Sequence, residues 1–337
     1  MNCELNKLRK IIGIGETILD IIFKNLQPTA AVPGGSVFNS LISLGRLGMN
    51  ATLISETGND RPGNIIMNFL SENGVDNTNV CVYKDGRTPI SLAWLNQDND
   101  AEYEFFKDYP KARLDVVWPE ISKDDIVMMG SYFVLNPVLR KKTREFITLA
   151  HERGAIIYYD FNFRKSHSHE VSQLYSDIME NVGYADIVRG STEDLDNIFR
   201  PLAGSTSPED IYSKYISPTC QNMICPDGGK EVRLFTSHST LSFPVPQIQT
   251  VSTIGAGDNF NAGIVYGLIT EDIHREDLPY ITPDQWNRII HHAIQFSSEV
   301  CQSFDNYIST GFARENIMNL SGRRQSISAT PPTIFRS

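Results

Sequence analysis

The stretch of this chain best suited to chemistry is Gly255-Ala256-Gly257-Asp258, a glycine-rich turn closed by a carboxylate. An apolar-periodic run follows (Phe260, Ile264, Val265, Leu268), so the turn reads as a loop entering a helix. The first turn of a helix carries N–H groups with no partner inside the helix, at the positive end of the macrodipole. Together they favour an anion such as a phosphate. Gly255 and Gly257 have no Cβ, so a ligand can approach their backbone closely. A carboxylate beside a phosphoryl group is repelled by it, and Asp258 therefore needs a reason to stand there. Taking the proton from an attacking hydroxyl is one such reason. Taken alone, the four residues fit a turn and an N-cap better.

The longer pattern, with extended Val251-Ser252-Thr253 before the turn and small Ala262 and Gly263 after it, resembles the second signature of the ribokinase-like, or PfkB, family of sugar kinases. The resemblance implies that Asp258 is the catalytic base and that the N–H groups of Gly255, Ala256 and Gly257 stabilise charge on the transferring group. Upstream, Pro33-Gly34-Gly35-Ser36 leads into a helical run with Asn39 on its first turn. This fits the family's first signature, G-G-x-x-x-N, in which the glycines let a sugar lie against backbone and the Asn reaches its hydroxyls. Asp20 follows the buried strand pattern Ile11-Ile12-Gly13-Ile14, where α/β proteins bind ligands. It reads equally as a solvated turn residue, and the resemblance favours sugar contact.

Asp160-Phe161-Asn162-Phe163-Arg164 closes another strand pattern, and its alternate polar residues are expected to point into the cleft. D-x-N-x-R is similar to the fructokinase-type members, which makes Arg164 a candidate for sugar or phosphoryl contact; a surface arginine is the alternative. His167 and His169 read as solvated loop residues. Ser191 and Asp194 form S-x-x-D, a capping-box pattern. The family has N-x-x-E at this place, which implies Mg²⁺ ordered through water by Asp194 and nucleotide contact at Ser191. Asp227-Gly228 is a turn expected to meet the nucleotide through its backbone. Ser252 stands where many members carry Asp, which leaves activation by K⁺ open. His292 stands near the position where members carry an adenine-contacting Asn, and the usual Gly-Ala pair after that helix is absent.

The elements needed to position these residues are legible. Apolar runs at 52–55, 126–129, 155–159 and 187–188 alternate with helical stretches such as 64–73 and 138–153, which implies right-handed crossovers and a parallel sheet. The fold implied is a three-layer α/β/α doubly wound, mainly parallel sheet with a small β-sheet lid. The body takes residues 10–16, 34–87 and 107–318, the lid 17–33 and 88–106, and the tail 319–337. The hairpin pattern of 88–106 is apolar on both faces, which calls for cover on both. The resemblance implies that one face, with Tyr103 and Phe105, closes over the sugar and that the other pairs with a second subunit, giving a homodimer. An ordinary internal hairpin is the alternative.

The length of 337 residues and the 41% hydrophobic and 21% charged fractions suit a globular chain of this size. The formal net charge of -10 argues against nucleic-acid or anionic-membrane partners. Five cysteines with no C-x-x-C pair suggest free thiols in a reducing cytoplasm. No run reaches the length of a membrane span. The function expected is ATP- and Mg²⁺-dependent transfer of the γ-phosphoryl group to a sugar hydroxyl, with fructose first. Ribose, 2-keto-3-deoxygluconate or a nucleoside as acceptor, and a non-catalytic sugar-binding regulator, are the alternatives.

Overall fold

The computed structural model describes residues 9–96, 101–204 and 206–318. Its strands are β1 (Ile11–Ile14), β2 (Ile18–Lys24), β3 (Gln27–Gly34), β4 (Ala51–Gly58), β5 (Val75–Asp76), β6 (Val80–Tyr83), β7 (Arg87–Leu95), β8 (Ala101–Asp108), β9 (Ile126–Gly130), β10 (Ile156–Asp160), β11 (Ile187–Arg189), β12 (Asn222–Asp227), β13 (Glu231–Phe235) and β14 (Thr240–Pro244). Its helices are α1 (Ser36–Arg46), α2 (Arg61–Glu72), α3 (Arg140–Glu152), α4 (Val171–Tyr184), α5 (Thr192–Ala203), α6 (Pro208–Ile211), α7 (Ala256–Thr270) and α8 (Pro283–Val300).

The large sheet runs in the order β14-β13-β12-β11-β10-β9-β1-β4-β5, with β6 also on β4. It is parallel from β12 to β5, and β13 and β14 add an antiparallel edge. Successive strands fall on opposite sides of β1, so the chain reverses direction between β1 and β9. In such sheets the ligand crevice lies beyond the strand C-termini at that reversal.

Alternating side chains of the parallel strands feed two cores. Ile11, Ile126 and Met128 pack with Leu41, Phe260, Ile264 and Trp286 on one face. Ile12, Val127 and Met129 pack with Phe146, Ile178 and Phe199 on the other. Each fully buried Ile, Leu or Phe contributes about 1.5–3 kcal/mol, so both faces are needed to hold the sheet. Helices α7 and α8 touch backbone to backbone. A Cβ on Gly263 would collide with Cα of Ala293, and one on Gly267 would lie 2.8 Å from Cα of Ile289.

The lid is a separate sheet in the order β3-β2-β7-β8, with β2 and β7 parallel. It spans Ile18–Gly34 and Arg87–Asp108, reaching slightly beyond the expected limits. Residues 97–100 of the hairpin pattern and the tail from 319 lie outside the described residues. Asp60 ties the lid to the body. It caps α2 by accepting from Gly63 N at 2.9 Å, and it accepts from Thr88 N, at the root of β7, at 3.0 Å.

Candidate active site

Three chain segments converge at the strand C-termini. The first is the N-terminus of α1. Gly34 ends β3 opposite Ile18, and a Cβ there would lie 2.5 Å from Oδ2 of Asp20. Gly35 caps α1 at φ 130, a conformation that glycine tolerates, and a Cβ there would strike the carbonyl oxygen of Glu16. The two glycines thus let the start of α1 press against both the hinge of the lid and the carboxylate of Asp20.

The second segment is the start of α7. Gly255 caps it in the left-handed region at φ 78, and its Cβ position would lie 2.8 Å from the carbonyl of Asn306. The Ala256 N–H turns back to Thr253 O at 3.2 Å, so this one of the three expected amides already has an acceptor in the protein. Asp258 is half-buried on the first turn. Asn39 donates from Nδ2 to its Oδ2 at 2.8 Å, and Ser40 donates to its carbonyl at 2.7 Å. Burial raises the Asp258 pKa above the ordinary carboxylate value, while hydrogen bonds from Asn39 and Ser36 and the charge of Arg164 oppose the rise. The buried Oδ1 of Asn39 has no hydrogen-bond partner within the protein. A buried acceptor left open beside a carboxylate suits a ligand hydroxyl.

The third segment is the inner face of the lid. Asp20 is 9% exposed, accepts a short hydrogen bond from the Ser91 hydroxyl, and has its pKa pushed up to about 6 by burial, with the nearby charge of Asp258 adding to the rise. Tyr103 stacks on Phe105 with ring centroids 5.9 Å apart, and Lys107 lies over the Phe105 ring at 5.1 Å. The Tyr103 phenol is pushed up to about 12 by burial and by Asp20 and Asp258, with Arg164 opposing. Asp20, Tyr103, Arg164 and Asp258 therefore share one electrostatic neighbourhood. Arg164 itself is exposed, just after the end of β10.

Other expected residues are placed differently. Asp160 does not turn into the cleft. It is buried, pairs with Arg189 Nη1 at 3.0 Å, and accepts from Asn261 of α7 at 2.7 Å. Ser191 and Asp194 form a full capping box on α5. The carboxylate of Asp194 also accepts from Phe163 N at 2.7 Å and is 7% exposed. It is turned inward and already satisfied, so it does not fit the part of ordering a metal through water. Among the described residues no group of three or more His, Cys, Asp and Glu side chains is placed to hold a metal ion. His167 stacks on Tyr132 and lies 3.0 Å from Glu170. Asp227 and Gly228 form the β12–β13 turn, where Asp227 accepts from Thr192 at 3.1 Å and Gly228 has φ 52. His292 lies on α8 with its ring edge-on to Tyr266, 5.0 Å between centroids.

Several residues at the site were not singled out from the sequence. Ser36, Ser40 and Ser43 recur on α1 at helical spacing, and Ser43 meets Asn259 of α7. That polar stripe was the available signal. Arg189 had no local signal beyond its place at the end of a strand.

Among relatives, the chain is 24% identical over 270 residues to probable fructokinase-5 of Arabidopsis thaliana, covering 77% of this chain and 82% of that one. It is 25% identical over 285 residues to fructokinase-1 of Oryza sativa subsp. japonica, covering 79% and 85%. The fold matches that of Vibrio cholerae O395 fructokinase, solved with fructose, ADP and a calcium ion, at a TM-score of 0.76 and 21% identity over 89% of this chain and 96% of that one. It matches Salmonella enterica aminoimidazole riboside kinase, solved with aminoimidazole riboside and an ATP analogue, at 0.75 and 19% over 93% and 99%. Residues 9–299 match the profile of the pfkB family carbohydrate kinases. The chain belongs to that family, and is a sugar kinase that transfers a phosphoryl group to an alcohol acceptor.

Proposed function

We infer that the enzyme transfers the γ-phosphoryl group of ATP to a hydroxyl of fructose. The observation that carries the reading is the 2.8 Å contact from Asn39 to Asp258, which joins the two glycine-led helix starts at one point beside Asp20. Asp20, Gly34, Gly35 and Asn39 hold the sugar, with Tyr103 and Phe105 over it. Asp258 takes the proton as the hydroxyl oxygen bonds to the γ-phosphorus. The bond from that phosphorus to the β–γ bridging oxygen breaks, and its electron pair leaves with ADP. The amides of Gly255 and Gly257 stabilise the transferring group, and such preorganised donors are each worth about 10²–10³ in rate. The closed lid keeps out water, which would compete as acceptor.

Fructose rather than another acceptor is supported by the names of the relatives, the D-x-N-x-R pattern ending in Arg164, and the aromatic lid. The nucleotide is placed along the Asp227–Gly228 turn and the Ser191 end of α5, with adenine toward His292. A divalent ion is expected to arrive with the phosphates of ATP. The outer face of the lid supports a homodimer: Ile21, Leu92 and Trp94 are only half-buried and Phe106 is 50% exposed. Free thiols at Cys81, Cys220, Cys225 and Cys301 support a reducing cytoplasm.

A coupled ADP-release assay over fructose, ribose, 2-keto-3-deoxygluconate and nucleosides tests the reading. Fructose is expected to give the highest kcat/KM. Asp258→Asn is expected to lower kcat by about 10²–10⁴ with sugar affinity within a few-fold of the parent. Sugar-dependent thermal stabilisation with no ADP release from any acceptor would favour the regulator instead.

A further inference from the structure

The geometry assigns a second phosphoryl-contacting group, Arg189, at the floor of the anion site. The assignment rests on the reading of that site as the place of phosphoryl transfer. Arg189 is the last residue of β11, directly in register with Asp160, the last residue of β10. Helix α7 passes over these two strand ends. Gly257 and Asn261 are four residues apart on it, hence on one face. Asn261 reaches down to Asp160 at 2.7 Å. Gly257 stands over Arg189, where a Cβ would lie 3.1 Å from Nη2. A methyl there would force the guanidinium to yield by a few tenths of an ångström.

The guanidinium is held there without being used up. Arg189 is 8% exposed. Nη1 pairs with Asp160 at 3.0 Å and lies 3.7 Å from Asp194. Its buried Nε has no partner in the protein. A buried arginine is costly unless its donors are satisfied, and one with donors to spare points to a ligand. The ligand class follows from the neighbours: the first-turn amides of α7 and a guanidinium together suit a tetrahedral or planar phosphoryl group. Asp160 and Asp194 fix the fork in place, so its charge is present before the phosphoryl group arrives. The inward-turned Asp194 acquires a function in this arrangement as a holder of the arginine.

Arg189 thus adds a fixed positive charge to the equatorial oxygens of the γ-phosphoryl group while Asp258 takes the proton from the acceptor. Its contact is with the γ-phosphate, so it should distinguish ATP from ADP. The test is Arg189→Gln, with kcat and KM measured for the best sugar and with binding of ADP and of a non-hydrolysable ATP analogue measured by calorimetry. The expected result is a loss of about 10²–10³ in kcat, sugar KM within about threefold, ADP affinity within about threefold, and ATP-analogue affinity down by tenfold or more. Arg189→Lys should recover part of the kcat.

A purely structural role would instead weaken both nucleotides equally, or lower the melting temperature with kcat per folded molecule unchanged; either result overturns the assignment. If Arg189→Gln does not fold, Gly257→Ala answers the same question. It keeps the backbone amide and the arginine and presses a methyl against Nη2, shifting the guanidinium, and it should show the same selective loss of the ATP analogue. Unchanged analogue binding in Gly257→Ala overturns the assignment. If the parent protein turns over no sugar but binds the analogue, the acceptor reading fails and the binding arm still decides for or against Arg189. If the parent binds neither nucleotide, both fall.

Discussion

Asn39 donates from Nδ2 to Oδ2 of Asp258 across 2.8 Å, linking the first turns of two helices 219 positions apart in the chain. The bond stabilises the ionised carboxylate, the form that accepts a proton, against a burial that disfavours it.

The pH profile should report that balance. As the proposed base, Asp258 must be ionised to act, so kcat/KM is expected to fall as pH drops through its raised pKa. Asn39→Ala removes a group that stabilises the ionised form and should move the acid limb to higher pH, with a rise in sugar KM. A lower kcat/KM with the limb unmoved would show that Asn39 does not tune the base.

Asp20 trades stability for a buried charge at the proposed sugar site. Its folded-state pKa is raised from 3.8 to about 6. The stability it contributes is therefore full below about pH 4, where it is protonated in both states, and is lost as pH rises toward 6. Asp20→Asn, which stays neutral, should stabilise the fold by up to about 3 kcal/mol at pH 7.5 and by little at pH 4. Thermal melts at the two pH values check this. An equal gain at both would separate the effect from ionisation. Sugar binding should weaken in the same variant.

Gly34→Ala should damage the sugar site with little effect elsewhere. The new methyl would stand 2.5 Å from Oδ2 of Asp20 and force that carboxylate aside. The expected outcome is a rise of tenfold or more in sugar KM with nucleotide KM near the parent value, from initial rates with each substrate varied. An unchanged sugar KM would remove Asp20 from sugar recognition.

The outer face of the lid should be an interface between two copies. Phe23 and Trp94 stack there with ring centroids 4.3 Å apart, beside the exposed Phe106. Light scattering is expected to give twice the chain mass for the parent and the chain mass for Trp94→Glu. A monomeric parent at micromolar concentration would remove the dimer.

Much of the fold was legible because its signals are local. The short apolar runs became parallel strands, Gly74, just past the C-cap of α2, took φ 74 as a helix terminator should, and the aromatic stretch formed a separate sheet. The glycine-led helix starts were legible for the same reason. The floor of the site was not. Asp160 ends a strand like any exposed turn carboxylate, and only its pairing with Arg189 and Asn261, 29 and 101 residues away, turns it inward. Asp194 shows the limit from the other side. Its capping box was visible in sequence, whereas its bond to Phe163 N and its contact with Arg189 depend on where β10 and β11 end.

The glycines at 263 and 267 bring α7 against the main chain of α8, and the Tyr266 ring packs on His292 and Phe296 beside them. A methyl added at either position would push α7 off α8 and shift the first turn that carries Asp258, so the placing of that carboxylate depends on two residues that do not touch it.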